Sequence, residues 1–310
     1  MNISGRNRLT EFILLSFPCP REIQILLFGV FFLTYILVGN GSIISAVKLD
    51  CWLHTPMYIL LANFSFFEIC YINTTVPSMM ANFLSNTKTI SFTACFLQFY
   101  FFSISTNETF FLILMVIDRY FAICQPLHYP TLKTVHLCIK LMILCWGTAF
   151  LCYPVPIYFM TQLPFCGPNI IDHFVCDPGP LLALSCTPAL GIGLSYSILS
   201  SLIIFITFFL IFGSYTLVFK AVLQVPSTAG KHKAFSTCSS HLVMVSLFYG
   251  TLRVMYIIPT SGNPAGTQKI VTLFYSAMTP LINPLIYSLH NKDMKTALRK
   301  VQMIKIGQST

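Results

Sequence analysis

Long apolar runs separated by short polar stretches dominate this chain. A bilayer's hydrocarbon core is about 30 Å thick, so a helix needs about 20 apolar residues to cross it. Seven stretches reach this length: Ile23–Val47, Met57–Leu84, Phe92–Ile117, Leu141–Met160, Pro188–Phe219, Ala234–Ile258 and Ile270–Leu289. Backbone groups in lipid must be hydrogen-bonded internally, so runs of this length predict helices and not barrel strands. The pattern predicts an all-α membrane protein, a bundle of seven transmembrane helices.

The distribution of lysine and arginine predicts the orientation of the bundle. Twelve of the 18 basic residues fall on the side of the C-terminus and five on the other. Inner loops carry the excess of basic residues, so the N-terminus is expected outside. This divides the chain into an extracellular N-terminus (1–22), a seven-transmembrane domain (23–289) and a cytoplasmic tail (290–310).

The cytoplasmic tail carries an amphipathic pattern of its own. Several basic residues alternate with one apolar stripe, which predicts a short helix lying on the inner membrane surface. The stripe consists of Met294, Leu298, Val301 and Ile304.

Composition agrees with a membrane protein. The chain is 55% hydrophobic and only 9% charged, whereas an ordinary soluble domain is about 25% charged. The net charge of +9 is interpreted as the orientation signal and as contact with anionic inner-leaflet lipid, not as a nucleic-acid interface. The polar first residues lack the apolar core of a cleavable signal peptide, so the first helix is expected to act as the insertion signal.

The twelve cysteines divide by their location. Cys95 lies at the outer end of the third segment, and Cys166, Cys176 and Cys186 lie in the long outer loop after the fourth, where disulfides persist. Four cysteines allow three pairings, and spacing alone does not choose among them. We predict bonds from Cys95 to Cys176 and from Cys166 to Cys186, and we interpret the other eight cysteines as packing residues.

Asn-x-Ser/Thr sequons occur five times in the chain. Four of them, at Asn40, Asn63, Asn73 and Asn107, lie inside predicted spanning segments, which a glycan-transferring enzyme does not reach. Asn2 is therefore the predicted glycosylation site.

Two acids lie midway along predicted spanning segments, Glu68 in the second and Glu108 in the third. A charge at bilayer depth is costly and therefore indicates function. With Asn40 of the first segment and Asn283 of the seventh, they are candidates for a site that coordinates a sodium ion or shares a proton. The alternative is an interhelical hydrogen-bonded lock with one or both acids neutral, because burial disfavours their charge.

Arg253 is the third charged residue at membrane depth. It comes six residues before Pro259, which places it about 9 Å inside the outer end of the sixth helix. It shares a face with Tyr249 and Tyr256, at helical offsets. If this face points inward, Arg253 lines a pocket and pairs with an anionic or acceptor-bearing ligand. The alternatives are an arginine that extends outward to the interface and one that pairs with an internal acid.

Several motifs accompany these segments in order. The adjacent acid and base Asp118 and Arg119 open "DRYFAICQPLHYP" at the inner end of the third segment. The others are "GN" at Gly39, "LHTPMYILLANFSFFEI" from Leu53, "KAFSTCSSHL" from Lys233, "FYGT" from Phe248 and "PLINPLIYSLHNKDMKTALRK" ending at Lys300. With these motifs, over essentially its whole length, the chain resembles a rhodopsin-type (class A) G-protein-coupled receptor, specifically an odorant (olfactory) receptor.

The resemblance implies an activation mechanism. In such receptors the acid restrains its neighbouring arginine in the silent state, and on activation the sixth helix swings outward and the arginine contacts the tail of a G-protein α subunit. This makes Asp118 the restraint and Arg119 the contact. The residues implied in the whole switch are Asp118, Arg119, Tyr120, Tyr215, Asn283, Pro284 and Tyr287.

The resemblance also implies an odorant pocket among the third, fifth, sixth and seventh helices. Mostly apolar walls with few polar anchors suit small volatile molecules and broad tuning. The positions carried over are Phe101, Phe102, Ser105, Thr106, Leu199, Ile203, Tyr249, Leu252, Arg253, Tyr256, Leu273 and Ser276.

The partners implied are a volatile odorant, membrane lipid and a heterotrimeric G protein of the stimulatory olfactory type, which raises cyclic AMP. The expected location is the plasma membrane, in sensory cilia if the protein is expressed in olfactory neurons. No enzyme activity, nucleic-acid partner or resident cofactor is expected, apart from the sodium ion considered above. His173 and Asp177, which flank Cys176, make a poor zinc site because a fourth partner is lacking.

One spacing departs from the family pattern. Cys95 and Arg119 are 24 positions apart, one fewer than is usual, and the deficit falls before Glu108. One residue rotates a helix by about 100°, so either the outer half of the third helix is turned or the preceding loop absorbs the change. Val116, Ile117 and His290 also replace usual family residues.

Competing interpretations of the chain's function have less support in the sequence. A transporter would show internal repeats and correspondingly broken helices, and an intramembrane enzyme would show a nucleophile or metal motif such as His-Glu-x-x-His or Gly-x-Ser-x-Gly. Neither pattern occurs in the chain. A receptor that fails to fold or reach the surface because of its shortened third helix remains an alternative.

Overall fold

The computed structural model describes residues 10–15, 20, 22–23, 25–26, 29, 40–84, 88–105, 108–125, 135–166, 168–224, 227–257, 269, 272, 286 and 292–307. Some helical side chains within these ranges are not described. The elements are β1 Glu11–Leu14, α1 Asn40–Leu49, α2 Pro56–Leu84, β2 Thr89–Ser91, α3 Phe92–Ile104, α4 Glu108–Cys124, α5 Val135–Leu151, α6 Pro154–Thr161, β3 Ile170–Ile171, α7 Pro178–Ala183, α8 Leu190–Gln224, α9 Thr228–Ile257 and α10 Lys292–Gly307.

Within the described residues, four helical stretches are long and apolar enough to cross a bilayer. They are Pro56–Ser78, Phe92–Cys124, His136–Thr161 and Leu190–Gln224, which match the second to fifth predicted segments. The sixth segment lies in α9, where His241–Thr251 is a shorter apolar stretch. Most of the first predicted segment before α1, and nearly all of the seventh, lie outside the described residues.

The fifth and sixth helices extend further than the apolar runs that predicted them. The structure continues α8 to Gln224, beyond the predicted end at Phe219, and begins α9 at Thr228 instead of Ala234. Hydropathy marks where the lipid ends, whereas the backbone hydrogen bonds of a helix continue into the aqueous phase. These polar extensions therefore lie on the cytoplasmic side of the predicted orientation.

The third predicted segment is interrupted at Ser105. Its backbone N–H donates to the carbonyls of Phe102 and Ser103, and its hydroxyl donates to Phe102 O over 2.6 Å. A 3-10 turn advances by about 120° per residue and an α-helix by about 100°. One such tightened residue therefore adds about 20° of rotation at this point.

A small three-stranded sheet, in the order β2-β1-β3, caps the outer side of the bundle. The central strand β1 pairs antiparallel with β2 and parallel with β3, and the side chains of Phe12 and Leu14 are fully buried. The Asn169 side chain donates to Glu11 O over 2.8 Å. The prediction of a purely helical chain missed this sheet, because strands of two to four residues are too short to show a period.

Aromatic side chains form the centre of the membrane core. Phe67 lies 5.3 Å from Phe111 and 5.2 Å from Trp146, ring centre to ring centre, and Phe64 lies 6.2 Å from Phe111. These contacts join α2, α4 and α5. Tilted ring pairs at such distances contribute beyond the area they bury, so this cluster fixes how three helices cross.

The C-terminal helix α10 is docked onto the inner end of the bundle. Lys300 Nζ donates to Asp50 Oδ2 over 2.8 Å, and Tyr58 OH donates to Asp293 Oδ2 over 3.4 Å. The bond from Lys300 is the main cause that lowers the pKa of Asp50. Met294 and Ala297 are buried, so the first part of the predicted apolar stripe packs on protein. The side chains of Val301 and Ile304 lie outside the described set.

Replacing Phe111 by alanine tests the aromatic cluster. Phe111 is fully buried, so Phe111→Ala should leave a cavity and cost about 3–5 kcal/mol of stability. The matched control is Phe209→Ala, because Phe209 is 65% exposed on the lipid-facing side of α8 and lipid replaces its contacts. Thermal unfolding in detergent measures both variants, and equal losses would contradict the assigned core.

Candidate functional site

The outer half of the bundle contains a contact between α3 and α8. Ser103 Oγ donates to Phe99 O over 2.8 Å and lies 3.0 Å from Tyr196 OH. A hydroxyl has one hydrogen to donate, so Tyr196 is the donor to Ser103. The rings of Phe99 and Tyr196 lie 5.4 Å apart. Polar and aromatic groups thus meet between the third and fifth transmembrane helices.

One face of α8 continues this arrangement toward the membrane centre. Tyr196, Ser200, Ile203 and Thr207 follow at helical spacings of four, three and four, which places them on one side of the helix. Each of the last three is at least nine-tenths buried. Eleven residues of helix span about 16 Å, so the face runs through about half the membrane.

The helix α9 closes this face at its inner end. Tyr249 OH donates to Thr207 Oγ1 over 2.9 Å, and its ring lies 5.3 Å from that of Phe208. Further out, Tyr153 OH lies 3.4 Å from Ser200 Oγ. Of the positions predicted for a pocket, Leu199, Ile203 and Tyr249 therefore lie along one line of described contacts.

The predicted positions on α3 are placed differently. Phe102 lies 6.2 Å from Tyr71 of α2, ring to ring, whereas the groups that contact α8 are Phe99 and Ser103. Phe101 is half-buried. Carrying positions over by motif alone missed Phe99 and Ser103, although their four-residue spacing places them on one helical face.

The remaining predicted positions fall outside the described part of the chain. This holds for Asn2, Thr106, Leu273, Ser276, Asn283, Pro284 and Tyr287, and for the side chains of Leu252, Arg253 and Tyr256. Their roles stay predictions.

The two intramembrane acids lie at the same depth on facing helices. Glu68 follows Phe64 by one turn of α2, and Glu108 precedes Phe111 by nearly one turn of α4. The contact between Phe64 and Phe111 joins these antiparallel helices one turn further inward. Both acids are almost completely buried. Among the described residues, the buried oxygens Asn40 Oδ1 and Ser65 Oγ have no hydrogen-bond partner.

The inner end of the bundle brings a second group together. Tyr215 OH lies 2.6 Å from His241 Nδ1, which joins α8 to α9, and the charge of Arg119 acts on both. Arg119 also contacts the sulfur of Met57, and Asp118 is buried. His241 was not among the predicted switch residues, because a histidine inside an apolar helix is not distinguished in the sequence from an ordinary packing residue.

The outer loop is held over the bundle by covalent and hydrogen bonds. Disulfides join Cys95 to Cys176 and Cys166 to Cys186, the pairing that we chose from the sequence. The backbone N–H of Cys176 donates to Gln98 Oε1 over 3.0 Å. The loop residues before Cys176 are therefore anchored directly to the top of α3.

Comparisons with known proteins agree on one family. A model of the olfactory receptor family matches residues 28–305. The chain belongs to the olfactory receptor family. Human relatives include olfactory receptor 11H6, 61% identical over 97% of this chain and 92% of that relative, and olfactory receptor 11G2, 60% identical over 96% and 87%.

A solved structure shows the same fold. The crystal structure of squid rhodopsin matches with a TM-score of 0.64 and 18% identity, over 93% of this chain and 89% of that one. This likeness shows the fold, and membership of the olfactory receptor family makes the protein a seven-transmembrane G-protein-coupled receptor and not an enzyme. As an olfactory receptor, it is a multi-pass plasma-membrane protein with a small-molecule ligand and a heterotrimeric G-protein partner.

Burial shifts the pKa values of two titratable groups in the outer loop in opposite directions. Burial, followed by the nearby charge of Lys269, lowers the pKa of His173 from 6.5 to about 4. Burial also raises the pKa of Asp177 from 3.8 to about 6, against a hydrogen bond from the backbone of Gly179. Both groups are therefore neutral at mildly acidic pH.

These opposed shifts predict compensation in the pH dependence of stability. His173 contributes stability that is complete above pH 6.5 and is lost as pH falls toward about 4, because the unfolded chain binds the proton. Asp177 contributes stability below pH 3.8 that is lost as pH rises through about 6, because the native state binds the proton. The two slopes oppose each other between pH 4 and 6.

Removing either His173 or Asp177 should reveal the pH dependence of stability that the other residue produces. Asp177→Asn should make thermal stability fall more steeply on acidification, by up to about 3 kcal/mol across the window, and His173→Gln should reverse the sign. The measurement is the unfolding midpoint of the detergent-solubilised receptor as a function of pH. Identical pH profiles for both variants and the unchanged receptor would contradict the assigned shifts.

Proposed function

We propose that the receptor binds small volatile odorants among its third, fifth, sixth and seventh helices and activates a stimulatory olfactory-type G protein that raises cyclic AMP. The observation that carries the pocket is the continuous face of α8 from Tyr196 to Thr207, opposite Ser103 and Tyr249. Small-molecule sites combine apolar walls with a few placed polar groups. Here Ile203 and the ring of Phe99 are apolar, and the hydroxyls of Tyr196, Thr207 and Tyr249 are polar groups.

The polar groups of this face are paired with one another in the structure. Tyr196 bonds to Ser103, and Tyr249 bonds to Thr207. An odorant carbonyl or hydroxyl that enters between the helices exchanges one of these bonds for its own, at little net cost. The apolar remainder of the wall discriminates only modestly per methylene, so broad tuning follows.

The contacts among Tyr215, His241 and Arg119 at the inner end of the bundle connect ligand binding to activation of the G protein. The bond between Tyr215 and His241 holds α9 to α8 beside Arg119, and a two-state packing of this contact is biased by ligand on one side and G protein on the other. Asp118 acts as the restraint on Arg119. The proposed location is the plasma membrane of sensory cilia, with a glycan on Asn2.

The buried oxygens near Glu68 fit a hard cation. Sodium prefers oxygen ligands, and the structure provides Asn40 Oδ1 on α1 and Ser65 Oγ on α2, three residues before Glu68, both without partners among the described residues. We propose that these atoms, with Glu68 and Glu108, hold a sodium ion that favours the silent packing. A shared proton between the acids is the alternative outcome, and sodium-independent activity across a titration of external sodium would favour it.

Cyclic AMP production in cells carrying the receptor and the olfactory-type G protein tests the function. A mixed odorant panel rich in carboxylic acids should raise cyclic AMP, Arg119→Ala should abolish every response, and Arg253→Ala should weaken responses to odorants that carry a hydrogen-bond acceptor while retaining responses to others. An epitope placed before Asn2 verifies surface expression. Silence toward the whole panel despite surface expression would argue for a receptor disabled by its third helix.

Tyr249→Phe tests the pocket face. Loss of the hydroxyl bonded to Thr207 should shift half-maximal concentrations of polar odorants by roughly tenfold, as expected for one buried hydrogen bond. Tyr158→Phe is the matched control, because Tyr158 is 61% exposed on α6. Unchanged responses in Tyr249→Phe, with normal surface expression, would place the pocket elsewhere.

A further inference from the structure

A buried lysine lies at the outer mouth of the bundle. Lys269 directly precedes the seventh predicted segment, and its side chain is only 6% exposed. Its Nζ lies 2.5 Å from Asp172 Oδ1 of the long outer loop, and the Asp172 side chain is 54% exposed. A desolvated ammonium needs a negative partner. Here that partner comes from the solvent side and is the more exposed member of the pair.

His173 adds a second donor beside this lysine. Its Nδ1 accepts the backbone N–H of Val175 over 3.2 Å, so in the neutral ring the proton is on Nε2. Nε2 is buried and has no hydrogen-bond partner among the described residues. The ring feels the charges of both Lys269 and Asp172. The mouth therefore presents an ammonium and an unused N–H donor, which together suit an acceptor with a negative charge.

This pair of donors lies above the proposed pocket. Cys176, three residues after His173, is bonded to Cys95, and Phe99 and Ser103 follow Cys95 at spacings of four, which places them one and two turns further inward. Lys269 precedes the predicted pocket positions Leu273 and Ser276 by four and seven residues.

We propose that Lys269 Nζ and His173 Nε2 form an outer subsite for the carboxylate of an aliphatic acid, which displaces Asp172 from Lys269 and extends its apolar tail toward Phe99 and Ile203. The inference rests on the proposed odorant pocket and adds a ligand class to it. Displacement keeps the charge on Lys269 paired and frees the loop at Asp172 from the start of the seventh helix.

The proposal predicts opposite effects for the two members of the ion pair. Asp172→Asn removes the internal competitor and should lower the half-maximal concentration of octanoic acid by about tenfold, whereas Lys269→Gln should raise it at least as much, as expected for a charge-assisted hydrogen bond. His173→Phe should also raise the half-maximal concentration of octanoic acid, by a smaller factor. Octanol, with the same carbon chain and no charge, should be unaffected by all three changes.

Lys88→Gln is the matched control, because it removes one positive charge from the same outer side of the receptor. Two readouts are needed: cyclic AMP in cells, and stabilisation of the purified receptor against heat by butanoic to octanoic acids and by the corresponding alcohols. Stabilisation by an acid that Lys269→Gln abolishes supports the subsite even where the G protein is not activated.

Several results would overturn the proposal. Equal weakening of acid responses by Asp172→Asn and Lys269→Gln would show that the ion pair has only a structural role. The same loss in Lys88→Gln would indicate a general effect of surface charge. Acid responses lost only in Arg253→Ala would place the carboxylate deeper in the bundle. Responses to alcohols without binding of any acid would leave the receptor function standing and remove the outer subsite.

Discussion

A bilayer contains no water to hydrogen-bond a polar group, and this constraint explains more of the receptor than any single contact. It requires the spanning segments to be helices. It also pairs the hydroxyls of α3, α8 and α9 with one another, as in the bonds from Tyr196 to Ser103 and from Tyr249 to Thr207. Among the residues that the structure describes, atoms of Asn40 and Ser65 in the core and of His173 in the outer loop have no hydrogen-bond partner. Such atoms mark places where a small ion or ligand can bind.

The two ends of the bundle are held together by different kinds of contact. The outer end is covalently closed, since two disulfides and a three-stranded sheet hold the loops over the helices. The inner end is joined by breakable contacts, among them the bond between Tyr215 and His241 and the ion pair between Lys300 and Asp50. A rigid outer cap with a looser inner end lets a ligand bias helix packing without dismantling its own binding site.

The periodic and apolar features of the chain were predictable from its sequence, and the local geometric ones were not. Segment lengths and the basic residues of the inner loops carry the membrane architecture, because lipid thickness and leaflet charge act on whole segments. The sheet through Phe12 depends on pairing between strands far apart in sequence. The tightened turn at Ser105 is a second local feature. Neither contact between distant strands nor a single residue's winding leaves a periodic signal, and His241 carries no charge that a search for buried ions would find.

The position of β1 at the centre of its sheet has a consequence for biogenesis. One neighbour, β2, follows the second helix, but the other, β3, is synthesised only after the fourth. The amino-terminal strand therefore waits in the lumen, with one edge unpaired, until four helices have been inserted into the membrane. During that interval an exposed strand edge is a template for wrong pairing. The outer cap is thus completed late. A chaperone that shields Glu11–Leu14 during synthesis would protect this strand edge from wrong pairing.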